Sequence, residues 1–246
     1  MDSKFNLPTE TIELPSRGLL YSEDSPLANG TLEMKYMTAK EEDILSNPNY
    51  IRQGTVIDKL LQSLIVSKID YNELLVGDKN AIMLAARILA YGKDYQITYE
   101  GSTVDVDLTQ FVNKDIDYSK FKERRNEFEF RLPNTDNIIT FKLLTHRDEQ
   151  TIEKEIAGRK KIDKNLSTNV SSRLKQMITS VNGLTERKDI HEFVDNYLLA
   201  KDARALREYY SSISPDVDLT ISVINAEGVE EDVDMPIGVN FFWPDA

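Results

Sequence analysis

Cysteine is missing altogether from the 246 residues, and histidine occurs only as His146 and His191. The first absence excludes a disulfide framework, thiolate catalysis and cysteine-ligated zinc, and the second leaves little from which to build an imidazole metal site. No metal or other cofactor is expected, and a reducing cytoplasm is the fitting compartment. No apolar run comes near the roughly 18 residues a membrane helix needs. Met1 to Pro8 carry no basic-then-apolar leader pattern, so no membrane or secretory route is expected. The glycosylation-type triplets at Asn29, Asn165 and Asn169 then carry no meaning.

Catalytic signatures are missing too. There is no Gly-x-x-x-x-Gly-Lys phosphate loop, no Gly-x-Gly-x-x-Gly, no Gly-x-Ser-x-Gly elbow and no paired-histidine metalloprotease helix. His146-Arg147-Asp148 shares three letters with a kinase catalytic loop but stands at a strand-to-helix junction without a glycine-rich loop. An enzyme is not expected. The distant alternative is a cell-envelope hydrolase whose acid and base are hidden among 42 acidic residues.

Basic residues are outnumbered, 30 to 42, for a net charge of −12, which repels phosphate backbones and makes nucleic acid an unexpected partner. From Ile213 to Ala246 there are eight acidic residues and no Lys or Arg. That stretch reads either as a solvated acidic hairpin or as a face that steers a basic partner protein. The one dense basic cluster, Arg159-Lys160-Lys161, is interleaved with Glu153, Glu155 and Asp163 and reads as a solvated helix end or a contact to an acidic surface.

What is present supports a sizeable core, since 40% of the residues are hydrophobic. Residues 9–37 read as an extended arm and a hairpin turning at Asn29-Gly30. Thr38 with Glu41 forms a capping box that opens a helix at Ala39, ending before Pro48. Val56, Ile57, Leu60, Leu61, Leu64 and Ile65 make an amphipathic helical stripe, and Ala81–Tyr91 is apolar all round, which predicts the most buried helix. From Tyr95 the period changes to two, predicting a hairpin turning at Gly101-Ser102 and a second one, from Phe128 to Leu143, turning through Asn134–Asn137. These four strands are expected to form one antiparallel sheet.

Thr145 with Asp148 opens the next helix. Val170, Leu174, Met177, Ile178 and Val181 form one helical stripe, and Ile190, Phe193, Val194, Tyr197 and Leu198 form another. Asp202 is placed to cap a last helix. Strands Leu219–Val223 and Glu231–Met235 close as a hairpin around Glu227-Gly228. The fold class is α+β: an N-terminal extended arm and helices, a central antiparallel sheet of about four strands, and a C-terminal helical part closing with a β-hairpin. A seam after Thr145 divides residues 1–145 from residues 146–246, either as two domains or within one continuous domain.

Blocks at the two ends carry a family resemblance. Glu13-Leu14-Pro15-Ser16-Arg17-Gly18-Leu19-Leu20-Tyr21 leads through Asn29-Gly30-Thr31 to Met37-Thr38-Ala39-Lys40-Glu41-Glu42-Asp43-Ile44-Leu45. Lys142-Leu143-Leu144-Thr145 stands between, and the chain closes on Pro236-Ile237-Gly238-Val239-Asn240-Phe241-Phe242-Trp243-Pro244-Asp245. Together they resemble the baseplate hub assembly proteins of T4-like tailed phages. The resemblance implies assembly of the tail baseplate hub by protein–protein binding, as chaperone or scaffold, in the host cytoplasm during tail assembly. A permanent structural subunit of the virion baseplate is the alternative. The implied partners are hub subunits or other tail proteins. Some family members carry paired cysteines in the closing hairpin, a pattern that suits a zinc ribbon; here Thr220–Gly228 has none, so no metal is carried over.

Two segments are candidates for partner binding. In the arm, Ile12, Leu14, Leu19 and Leu20 are apolar where Pro15 and Gly18 resist a helix, so the segment either adds to a partner's sheet edge or packs along its own body. At the other end, Phe241, Phe242 and Trp243 are either packed back or offered as an aromatic anchor. Pro236, Gly238 and Pro244 restrict the approach and favour packing.

Overall fold

The computed structural model describes residues 7–121, 124–162, 169–225, 228–235 and 237–243. Asp163, Asn165, Glu227, Pro236, Pro244 and Asp245, singled out above, lie outside them. Strand β1 (Thr9–Glu13) pairs antiparallel with β2 (Thr31–Lys35), with Thr9 opposite Lys35 and Glu13 opposite Thr31. The connection is not a two-residue Asn29-Gly30 turn. Leu14–Tyr21 run inward, and a 3-10 helix at Pro26–Asn29 brings the chain back, capped by the Ser25 side chain and closed by Gly30 at φ 71°.

The capping box opens α1 (Ala39–Leu45) where expected. Pro48, read as a stop, instead starts α2 (Pro48–Gln53): proline is tolerated at the first helical position, and the Asn47 side chain accepts from the N–H groups of Asn49 and Tyr50. Helix α3 (Val56–Leu64) buries Val56, Leu60, Leu61 and Leu64, the face its periodicity marked. Helix α4 (Val76–Tyr91) is deeply buried, with Ile82 and Ala86 at 0% and 1% exposure, and begins earlier than Ala81.

Strands β3 (Asp94–Tyr99) and β4 (Ser102–Asp107) turn at Glu100-Gly101, one residue before the expected site, because these two residues take the positive φ values, 45° and 83°. Strands β5 (Phe128–Arg131) and β6 (Ile138–Phe141) form the second expected hairpin. The four do not make one sheet. Among the described residues the β3–β4 pair stands alone, while β6 takes as its other neighbour β7 (Ile178–Val181), from beyond α5 (His146–Ile162) and α6 (Asn169–Met177). The stripe read as one helix is therefore broken after Met177. Ile178, Thr179 and Val181 are β-branched, and Asn182-Gly183 turn the chain at φ 49° and 82°. Because β7 pairs with β6, residues on both sides of Thr145 share one sheet.

Helices α7 (Arg187–Asn196) and α8 (Ala200–Ile213) follow, and β8 (Thr220–Ile224) with β9 (Glu230–Asp234) forms the closing hairpin. Asp202 is not the cap of α8. It lies inside the first turn, fully buried, and accepts from Asn134 N (2.9 Å), Asn134 Nδ2 (2.8 Å) and Thr135 Oγ1 (2.8 Å). Burial opposes its charge, but these donors hold the carboxyl below the usual carboxylate range and fasten the β5–β6 turn to the helix. The architecture is α+β, as its sequence pattern implies.

Candidate partner-binding surfaces

The arm is held by one buried carboxylate. Asp78, in the first turn of α4, is fully buried and accepts three hydrogen bonds: from Ser16 N (2.8 Å), Ser16 Oγ (2.7 Å) and Tyr21 OH (2.6 Å). Tyr21 OH in turn accepts from Leu75 N at 3.0 Å, just ahead of the helix. Burial raises the Asp78 carboxyl above its ordinary value, and the three donors offset this only in part; burial and Asp78 also push the Tyr21 phenol well up. Gly18 permits the path at φ 73°, and a Cβ there would stand 2.3 Å from Ala28 O. Outside, the Arg17 guanidinium lies 3.8 Å from the Tyr118 ring centre, and Tyr118 OH donates to Pro15 O at 3.0 Å. Leu14 and Leu20 are consequently in the core at 1% and 4% exposure, while Ile12 and Leu19 are half-buried.

The C-terminal aromatic residues divide. Phe241 and Phe242 are at 1% and 0% exposure, with Phe241 edge-on to Tyr95 of β3 at 5.0 Å between centroids, whereas Trp243 is 39% exposed. Beside Tyr95 opens a cavity of about 1010 Å³ between the β3–β4 hairpin and β8. Its base is tied by Asp218 N donating to Val112 O and Lys114 N to Asp216 O, both at 2.8 Å, and its far side by the Tyr99 hydroxyl donating to Glu231. Of its carboxylates, Asp107 accepts from Lys93 Nζ at 2.6 Å, an interaction that, with bonds from Thr109, lowers its pKa to about 2.

The kinase-like letters serve packing. His146 is 3% exposed, edge-on to the Tyr71 ring, with Nδ1 3.3 Å from Lys79 Nζ and Nε2 3.4 Å from Asp58 Oδ2. Burial and Lys79 hold the imidazole below its ordinary value despite Asp58. Asp148 accepts from Thr145 N (3.0 Å), Lys142 Nζ (2.8 Å) and Gln176 Nε2 (2.7 Å), as a helix-opening residue does. Among the described residues no group of three or more His, Asp or Glu is placed to hold a metal ion, and no helix is long and apolar enough to cross a membrane.

Of the seven candidate residues, then, the fold packs Phe241 against Tyr95 and Phe242 against Phe241, leaves Trp243 39% exposed, draws Leu14 and Leu20 inside and half-buries Ile12 and Leu19. Asp78 and the groove were not singled out in the sequence. Asp78 stands in Val76-Gly77-Asp78, just ahead of the apolar run, where an earlier helix start would have put a carboxylate in the first turn.

These features define an α+β protein with two-stranded hairpins flanking a groove and an exposed tryptophan near its C-terminus. The family model described as T4 bacteriophage base plate protein matches residues 10–243, and the chain belongs to this phage baseplate family. No curated protein and no solved structure matches it.

Proposed function

We propose that the chain works by protein–protein binding, holding hub subunits during construction of the baseplate in the host cytoplasm, as chaperone or scaffold and not as an enzyme. Trp243 carries this reading. Two buried phenylalanines fix the segment, so that the following indole, 39% exposed, is held in place before any partner arrives. Pre-ordering reduces the entropy lost on association, and tryptophan is enriched at the energetic centres of interfaces.

Substitution Trp243→Ala tests the proposal. Stability should change by less than about 1 kcal/mol, as for a surface residue, while hub assembly fails. Normal assembly by the variant would overturn the reading. Mass spectrometry of purified virions separates the two modes: absence from finished particles supports a transient helper, and stoichiometric presence replaces it with a permanent subunit.

A further inference from the structure

Resting on the binding role just proposed, we infer that the groove between the β3–β4 hairpin and β8 receives an extended, lysine- or arginine-bearing segment of a partner tail protein, laid in as an added strand. Three observations point to that occupant. Shape is the first. Consecutive residues Val104–Asp107 of β4, their partners Asp94–Gln96 of β3, and Thr220–Ser222 of β8 line the groove, and neither β4 nor β8 has a second strand neighbour among the described residues. Unpaired edges beside an open channel are what an incoming strand pairs with.

Charge is the second. Residues 94–107 contain four acidic residues and no basic one, and the segment supplying the other wall has no Lys or Arg from Ile213 onward. The two lysines nearest, Lys93 and Lys114, are paired with Asp107 and Asp216. The walls therefore offer carboxylates, Asp94 and Asp105 among them, to a cationic segment and repel an anionic one. The third is the lining itself: half-buried Tyr95 and Val106 stand next to those carboxylates along β3 and β4, and half-buried Phe111 and Ile221 add apolar surface. A strand whose side chains alternate between basic and apolar matches both.

Fluorescence anisotropy with the full chain tests this, using a labelled peptide of sequence Lys-Val-Lys-Thr-Lys-Val-Lys-Thr. Controls are the same peptide with glutamate for lysine, and one N-methylated at every residue, which has no backbone N–H to donate to a strand ladder. The basic peptide should bind, weaken with added salt, and lose at least tenfold in affinity to the double variant Asp94→Lys/Asp105→Lys, whose positions are exposed and whose melting curve should be unchanged. N-methylation should cost a similar factor. Absence of binding, or equal binding to the double variant or by the N-methylated peptide, overturns the proposal. Hub assembly distinguishes the two levels. If the double variant assembles normally while Trp243→Ala does not, the groove is wrong and the binding role stands; if both assemble normally, the binding role itself fails.

Discussion

Buried carboxylates carry much of the specificity at the scale of single residues. Asp78 accepts three hydrogen bonds from the arm while itself fully buried. Asp78→Ala leaves the Ser16 and Tyr21 donors unpaired, and hydrogen bonds to a buried acceptor of this kind make a loss of about 3 kcal/mol the expected result in denaturant unfolding. Glu41 behaves in the opposite electrostatic sense. Burial raises its pKa, but Lys35, Thr38 and Ser63 outweigh this and lower it from 4.5 to about 2. A depressed carboxylate contributes stability that is complete above its unfolded value and is lost as pH falls through the folded one. That contribution is lost mainly between pH 4.5 and 2. Glu41→Gln should therefore be less stable than the parent at pH 7 and show a flatter acid limb; parallel pH curves would contradict it. Thr38 and Glu41 were legible as a pair because the capping box is local, three residues long. Asp78 was not, because its partners lie 62 and 57 positions earlier in the chain.

Elements show the same division between local and distant causes. Helices α1, α3, α5 and α7 follow their periodicity and start signals. The expected four-stranded sheet does not, because an alternating strand announces its faces and not its neighbour. Strand β7 was hidden since Met177, Ile178 and Val181 also fit a helical stripe. The arm read from Pro15 and Gly18 as an extended segment is a strand followed by a buried loop. Deleting residues 1–21 would remove Leu14, Ser16, Leu20 and Tyr21 from the interior and strip Asp78 of its donors. Loss of a cooperative thermal transition is the expected outcome, and a soluble, sharply melting truncation would show that β1 and its loop are dispensable.

At the scale of the whole molecule, an apolar core is threaded by paired polar groups, and no metal is expected to contribute to its stability. A chelator should leave the melting temperature unchanged; a fall of several degrees, restored by zinc, would reveal a site. Composition made this expectation available, and the acidic excess between Ile213 and Ala246 was equally plain. The groove was invisible because it is made by bringing that segment beside a hairpin more than a hundred positions earlier.

The N-terminus of α4 has a consequence for the order of events during synthesis. A Cβ on Gly77 would sit 1.9 Å from Pro215 O, and Asn80 Nδ2 donates to Asp216 Oδ1 across 136 positions, while the neighbouring Asp78 reaches back to Ser16. Helix α4 is thus clamped between early and late parts of the chain. A nascent polypeptide cannot complete that clamp until Pro215 has been made, and contacts so distant in sequence slow folding because loop closure precedes their reward. The hairpin groove therefore takes shape late, and a growing chain has no finished surface to offer a partner before then.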